Sequence, residues 1–322
     1  MFTVQNDGPI LVVRGGAIGD FILTLPVLSA LHRNFPNSRV ELLARSRTAP
    51  LAVAAGLADD WRDLEGREAS ALFVPEGEIA PSLCEWLGRF TLILCYVPDP
   101  EGVLRANLSR FCPARILTGP SRPDEMQSRH AAEQFLEPLR AIGIKEFASV
   151  PRLGGSLRCE GEGMKSDGNR AARFTLALHP GSGGEKKNWD EARWMELLVR
   201  LGRETDWKFL IVGGEAEQGK LARLAKQLPT SRFALAENLP LTELAVRLRS
   251  CNFFLGHDSG ITHLAGALGL PGAVLWGETN VDVWRPLGGR MEIFREEGDL
   301  SALTVEKVFC ELLRCAHFTP MA

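Results

Sequence analysis

The chemistry in this sequence gathers where apolar runs end in short polar turns. The most telling stretch is Phe253-Phe254-Leu255-Gly256-His257-Asp258-Ser259-Gly260-Ile261-Thr262-His263. Asp258 or Ser259 can cap a helix starting there, and Gly260 lets a ligand approach first-turn N–H groups whose dipole favours an anion. His263 lies about one turn inside the same helix. A cap and a core histidine would explain these residues singly; together they point to a phosphate or diphosphate site. A second cluster, His179-Pro180-Gly181-Ser182-Gly183-Gly184-Glu185-Lys186-Lys187-Asn188-Trp189, puts glycines and two lysines after another apolar run. It is like the top of a phosphate site without the G-x-x-x-x-G-K-[ST] spacing of a P-loop, and a lysine pair also suits a solvated turn. In Gly213-Gly214-Glu215-Ala216-Glu217, one glutamate can reach a ligand while the other is a first-turn acid. Asp20, after Arg14-Gly15-Gly16-Ala17-Ile18-Gly19, is either a dipole-stabilising acid or a general base.

Strands followed by helices must hold these turns. Ile10-Leu11-Val12-Val13 reads as a buried strand running into the glycine turn, then an apolar helix to about Asn34. Val40 to Ala44, Phe90 to Tyr96 and Arg115 to Thr118 read as further strands. Helices are expected over Glu101 to Arg110 and from His130 through Pro138 towards Gly143, with His130 facing solvent or capping. In the second half, Phe174 to Leu178, Trp207 to Val212 and Ala273 to Trp276 read as strands, and Asp190 to Gly202, Leu241 to Arg249 and Thr304 to Ala316 as helices. The alternation predicts an α/β fold with mostly parallel sheets. Glycines and charges without apolar period over 151–173 mark a linker between an N-terminal domain, 1–150, and a C-terminal domain, 174–322, whose last helix is free to pack back on the N-terminal domain.

Composition narrows the class. With 322 residues, 45% hydrophobic and 24% charged, the chain is a globular protein of two ordinary domains. A net charge of −3 provides no global field to recruit nucleic acid. The first 150 residues hold 14 Arg and one Lys, Lys145, and Arg is the better partner for phosphate or carboxylate. Seven cysteines without a C-x-x-C pair argue for reduced thiols and a cytoplasmic location. The absence of a D-x-D triplet leads us to expect no metal. The first glycine turn reads G-G-x-x-G, not G-x-G-x-x-G, and Arg45 stands where an acid would hold a ribose, although it would suit a 2′-phosphate. A dinucleotide-dependent oxidoreductase is thereby disfavoured.

The motif set resembles glycosyltransferase family 9, the ADP-heptose:lipopolysaccharide heptosyltransferases. The resemblance rests on Arg14 with Gly19-Asp20 and Thr24-Leu25-Pro26; His179-Pro180-Gly181 with Lys187-Asn188-Trp189; Gly213-Gly214 with Glu217; Gly256 with Asp258-Ser259-Gly260 and His263-Leu264-Ala265; and Trp284-Arg285-Pro286 with Gly288. It implies a GT-B fold, two doubly wound Rossmann-like domains facing each other across a cleft, with an N-terminal acceptor domain and a C-terminal donor domain. It also implies an inverting, metal-independent transfer of a heptose or related sugar from an ADP-sugar to a lipopolysaccharide core acceptor, without a cofactor. Asp20 would be the base, Lys187 would balance the diphosphate, Glu217 would reach the ribose and Asp258 the sugar. Ser259, Gly260 and His263 would meet the phosphates, while Arg14 and Gly19 would serve the acceptor or its loop. Membrane contact would be peripheral, through the acceptor's lipid. The family commonly has Asn where His257 stands and Pro where Ile261 stands. A protein that keeps the nucleotide-sugar pocket without transferring is the alternative in another class, and retention of Asp20 and Lys187 argues against it.

Overall fold

The computed structural model describes residues 8–154, 157, 174–184 and 187–317. The chain divides into two compact units, Met1–Ser156 and Leu157–Ala322. Most of the segment read as a linker, 151–173, lies outside the described residues.

In the first unit β1 (Ile10–Arg14), β2 (Val40–Ala44), β3 (Asp60–Asp63), β4 (Leu92–Tyr96) and β5 (Arg115–Thr118) form a parallel sheet in the order β3-β2-β1-β4-β5. The connections carry α1 (Ile18–Asn34), α2 (Ala49–Ala54), α3 (Arg67–Ser70), α4 (Pro81–Leu87) and α5 (Val103–Phe111), and α6 (Ala131–Leu136) follows β5. Strands β1, β2 and β4 are buried at every position, as expected for central strands covered on both faces. The second unit repeats the plan. Strands β6 (Thr175–His179), β7 (Lys208–Gly213), β8 (Phe233–Glu237), β9 (Phe253–His257), β10 (Gly272–Leu275) and β11 (Met291–Phe294) pair in parallel in the order β11-β10-β9-β6-β7-β8. Its helices are α7 (Glu191–Glu204), α8 (Lys220–Ala225), α9 (Leu241–Arg249), α10 (Gly260–Ala267), α11 (Val281–Trp284) and α12 (Val305–His317).

In each unit the first strand is flanked by the second and the fourth. The chain winds outward one way, then returns to the other side of its first strand, leaving a crevice at the carboxyl ends of β1 and β4, and of β6 and β9. This reversal is where open α/β sheets bind ligands. Arg14 is in register with Tyr96 at one crevice and His179 with Gly256 at the other.

Two helices differ from the sequence reading. The helix expected from Glu101 starts at Val103, because the Asp99 carboxylate accepts the N–H groups of Leu104 and Arg105 at 3.0 and 2.9 Å and acts as the cap from outside. The helix expected through Pro138 stops at Leu136 and tightens into a 3₁₀ stretch to Ile142, since proline lacks the N–H that a further α-turn needs. His130 caps α6 through Nδ1, which accepts the Ala132 N–H, and does so buried rather than facing solvent. Val305, Val308, Phe309 and Leu312 of α12 join Trp194, Leu197 and Leu201 of α7 in the second unit's own core, so its apolar stripe is already covered there.

Glu41 of β2 is a buried carboxylate inside the first unit, where Oε2 accepts the Trp86 indole N–H at 2.7 Å and Arg39 and Arg89 approach from the surface. A buried charge left without its hydrogen bond costs more than a surface ion pair contributes. Trp86→Phe should therefore destabilise the first unit by about 1–3 kcal/mol in urea unfolding, whereas Arg39→Ala, whose guanidinium is mostly exposed, should change it little. Equal effects would contradict this ordering.

Candidate functional site

At the first crevice, Arg14 closes β1 with its guanidinium buried. Nη1 donates to the carbonyls of Tyr96 and Ser121 at 3.0 and 2.8 Å, Nη2 donates to Asp20 O at 3.1 Å, and the group lies 4.5 Å from the Phe135 ring centre. Burial lowers its pKa to about 10, partly offset by Asp20, so it stays charged at neutral pH. Arg14 ties the end of β4 and the loop after β5 to the start of α1. Asp20 sits in the first turn of α1, with Gly19 before it. Its Oδ2 accepts the Ala17 N–H at 3.0 Å, which is the capping role. Its Oδ1 lies 3.7 Å from Arg14 Nη2 and is a buried oxygen without a hydrogen bond. One carboxylate thus caps a helix and keeps a second oxygen uncommitted. Gly16, at φ +88°, turns the chain tightly enough that a side chain there would sit 3.0 Å from Asp20 Oδ2.

At the second crevice, β9 ends in His257 and α10 begins just beyond. Ser259 is the N-cap, its hydroxyl accepting the Thr262 N–H at 3.3 Å, which decides between the two candidate caps. The same hydroxyl lies 3.2 Å from His179 Nδ1, while Thr262 donates its own hydroxyl to His257 O. Asp258, freed from capping, accepts Lys187 Nζ at 2.6 Å; the carboxylate is nearly buried and the lysine about half exposed. Gly260 opens α10, where backbone N–H groups lack intrahelical partners, and His263 is buried one turn in. Lys186 lies outside the described residues.

Glu217 closes the third turn. Its Oε2 accepts the Gly214 N–H at 2.8 Å, and a side chain at Gly181 would come within 1.9 Å of Oε1, so only glycine allows this carboxylate beside the 179–181 turn. Between Glu215 and Glu217, the buried one is Glu217. The structure thus brings Lys187, Asp258, Ser259, Gly260, His263 and Glu217 to the carboxyl ends of β6, β7 and β9 in the second unit, and Arg14, Gly19 and Asp20 to the end of β1 in the first. Among the described residues, no group of three or more His, Cys, Asp or Glu is arranged to hold a metal ion, and no helix is long and apolar enough to cross a membrane.

Sequence reasoning passed over two supports. Lys220 Nζ donates to Pro180 O at 2.8 Å, steadying the His179-Pro180-Gly181 turn. His257 Nε2 accepts the Trp189 N–H at 2.9 Å, and its Nδ1 lies 3.3 Å from Gly181 O. The signal for His257 was available: a titratable residue closing an otherwise apolar strand. Burial first, then the Lys220 charge, pushes His179 down to about 4. Burial pushes His257 down to about 3, opposed by its bond to Gly181 and reinforced by His179 and Lys220.

Residues 140–310 match the model of glycosyltransferase family 9 (heptosyltransferase). Lipopolysaccharide heptosyltransferase 1 of Pseudomonas aeruginosa is 26% identical over 298 residues, 84% of this chain and 79% of that protein. Among solved structures, a glycosyl transferase family 9 protein of Veillonella parvula superposes with a TM-score of 0.79 at 19% identity, covering 98% of this chain and 99% of the other. An Escherichia coli heptosyltransferase solved with ADP gives 0.70 at 18% identity, covering 95% and 99%.

Both histidines are neutral in the folded protein at pH 7, and in the unfolded chain they take up protons near 6.5. Their contribution is therefore complete above about 6.5 and is lost as pH falls towards 4 for His179 and 3 for His257. Urea unfolding of the second unit should weaken between pH 7 and pH 5 by up to about 1.4 kcal/mol per pH unit per histidine. His257→Gln should flatten that slope, and a slope unchanged by the variant would show that His257 does not titrate this way.

Proposed function

Because the chain belongs to glycosyltransferase family 9, we propose that it moves a heptose or related sugar from an ADP-sugar to a lipopolysaccharide core acceptor, inverting the anomeric centre without a metal. The observation that carries this reading is the Lys187–Asp258 pair at 2.6 Å beside the N-terminus of α10: a half-exposed cation, a carboxylate and first-turn N–H groups at one strand end. The glycosyltransferase assignment and the GT-B class follow from the family match and the two parallel-sheet units; donor, acceptor and stereochemistry are our reading.

In this reading the acceptor hydroxyl attacks the anomeric carbon opposite the diphosphate. The new C–O bond forms as the bond to the diphosphate oxygen breaks, and the hydroxyl proton passes to Asp20. The Asp20 carboxylate would take it, and its bond to Ala17 N–H helps hold it in place. Charge building on the leaving diphosphate is met by Lys187 and the N–H groups at Gly260, with His263 alongside. Ser259 contributes mainly by capping that helix, since its hydroxyl already bonds Thr262 N–H and lies against His179. Asp258 exchanges its bond to Lys187 for sugar hydroxyls, and Glu217 offers Oε1 to the ribose. Positive charge from Lys187 does the work a metal would do elsewhere. Such an enzyme works in the cytoplasm, touching the membrane only through its acceptor's lipid.

Two variants test this. Lys187→Ala should weaken ADP binding about tenfold or more, read as a reduced thermal shift, since one charge-assisted contact is worth roughly 1.5–3 kcal/mol. Stabilisation by NADPH but not by any nucleoside diphosphate would defeat the reading. Asp20→Asn keeps an oxygen for Ala17 N–H but cannot take the proton; it should fold and bind ADP normally yet transfer sugar at least ~100-fold more slowly in single turnover. Near-normal transfer would remove Asp20 from the mechanism.

A further inference from the structure

His257 belongs to none of the roles above, yet its imidazole joins both ends of the stretch that carries Lys187. The Trp189 N–H can only donate, so Nε2, 2.9 Å away, must be the acceptor and the ring proton must sit on Nδ1. There it faces Gly181 O at 3.3 Å, a group that can only accept. The two backbone partners thus select one neutral tautomer, which burial also favours. The ring is fully buried and meets Trp194 edge-on, 5.5 Å between centres at 86°, so it has little freedom to turn. Lys187 stands two residues before Trp189, and two residues span at most about 7 Å. Fixing the Trp189 backbone therefore fixes the region from which the lysine reaches. The next residue, Asp258, takes the ammonium itself. Consecutive residues at the end of β9 hold this stretch twice, by its backbone through His257 and by its side chain through Asp258.

We infer that His257 is the positioning residue for Lys187: through Trp189 and Gly181 it holds the lysine where a nucleoside diphosphate meets it. This rests on the reading of Lys187 as a donor contact. Anchoring the backbone that carries the lysine beforehand leaves less chain freedom to be lost on binding.

The test is calorimetric titration of the full chain with ADP. His257→Gln can still present an amide oxygen to Trp189 N–H and should stay within about threefold of the native affinity. His257→Leu keeps the bulk but leaves that N–H bare, and should weaken ADP about tenfold. Added to Lys187→Ala, the leucine should cost less than about twofold more, because the residue it acts through is gone. A folded leucine variant with native affinity overturns the inference, as does an equal loss in both backgrounds, which would mean a general effect on the site. Should the leucine variant fail to fold, His257→Asn, too short to reach Trp189, takes its place: weakening with Asn but not Gln supports the inference, and native affinity with Asn overturns it. If Lys187→Ala leaves ADP affinity unchanged, the donor reading itself fails and this inference with it. If that variant weakens ADP and His257→Leu does not, only this inference fails.

Discussion

A parallel strand cannot be joined to its neighbour by a tight turn, so each connection must cross a face of the sheet. Where the chain reverses its direction of winding, two adjacent strands send their connections apart, and their carboxyl ends are left uncovered. Both units obey this at their first strand, between β1 and β4 and between β6 and β9. The functional residues follow from it. Asp20 comes directly after β1, His257 and Asp258 directly at the end of β9, and the 179–189 stretch directly after β6. The rest of each sheet serves to keep those ends in register.

Uncovered strand ends are polar, and what surrounds them is not. Each crevice therefore contains a buried polar side chain hydrogen-bonded to backbone groups. Arg14 spends its guanidinium on three carbonyls, and His257 spends its ring on one N–H and one carbonyl. Such groups are costly to bury alone and economical once satisfied. Arg14's partners lie in three separate segments and His257's at the two ends of one stretch, so these side chains also set where those segments lie. Asp20 and Asp258 are the beneficiaries: each keeps carboxylate capacity beyond its structural bond because a neighbour does the holding.

Much of this was legible in the sequence, because parallel strands buried on both faces appear as unbroken apolar runs. Ile10–Arg14, Val40–Ala44 and Phe253–His257 could be placed almost to the residue, and the turn after each named its candidate chemistry. The edge strand β3 was harder: Asp-Trp-Arg-Asp has no apolar period, since only its backbone pairs with β2. Helix limits at Val103 and Leu136 were set by a carboxylate outside one helix and a proline just beyond the end of the other. The pairing of Lys187 with Asp258 is separated by 71 residues, and no local pattern encodes it. His257 was visible as a residue, but the Trp189 N–H it accepts is a backbone group, and backbone groups leave no mark on a sequence.

Tyr96 is the chain's one tyrosine, against seven tryptophans. It lies fully buried at the end of β4, with its hydroxyl donating to Phe135 O at 2.8 Å and its ionisation pushed up by burial despite the pull of Arg14. Five of the tryptophans, Trp189, Trp194, Trp207, Trp276 and Trp284, belong to the second unit, and Trp194 touches His257 edge-on. The phenol is thus confined to the first unit, while indoles occur in both and are more numerous in the second. Phenolate absorbance can arise only from the first crevice, and only after α6 lets go of that hydroxyl, while indole emission comes mostly from the second. Opening of each half is optically distinguishable in the unlabelled protein.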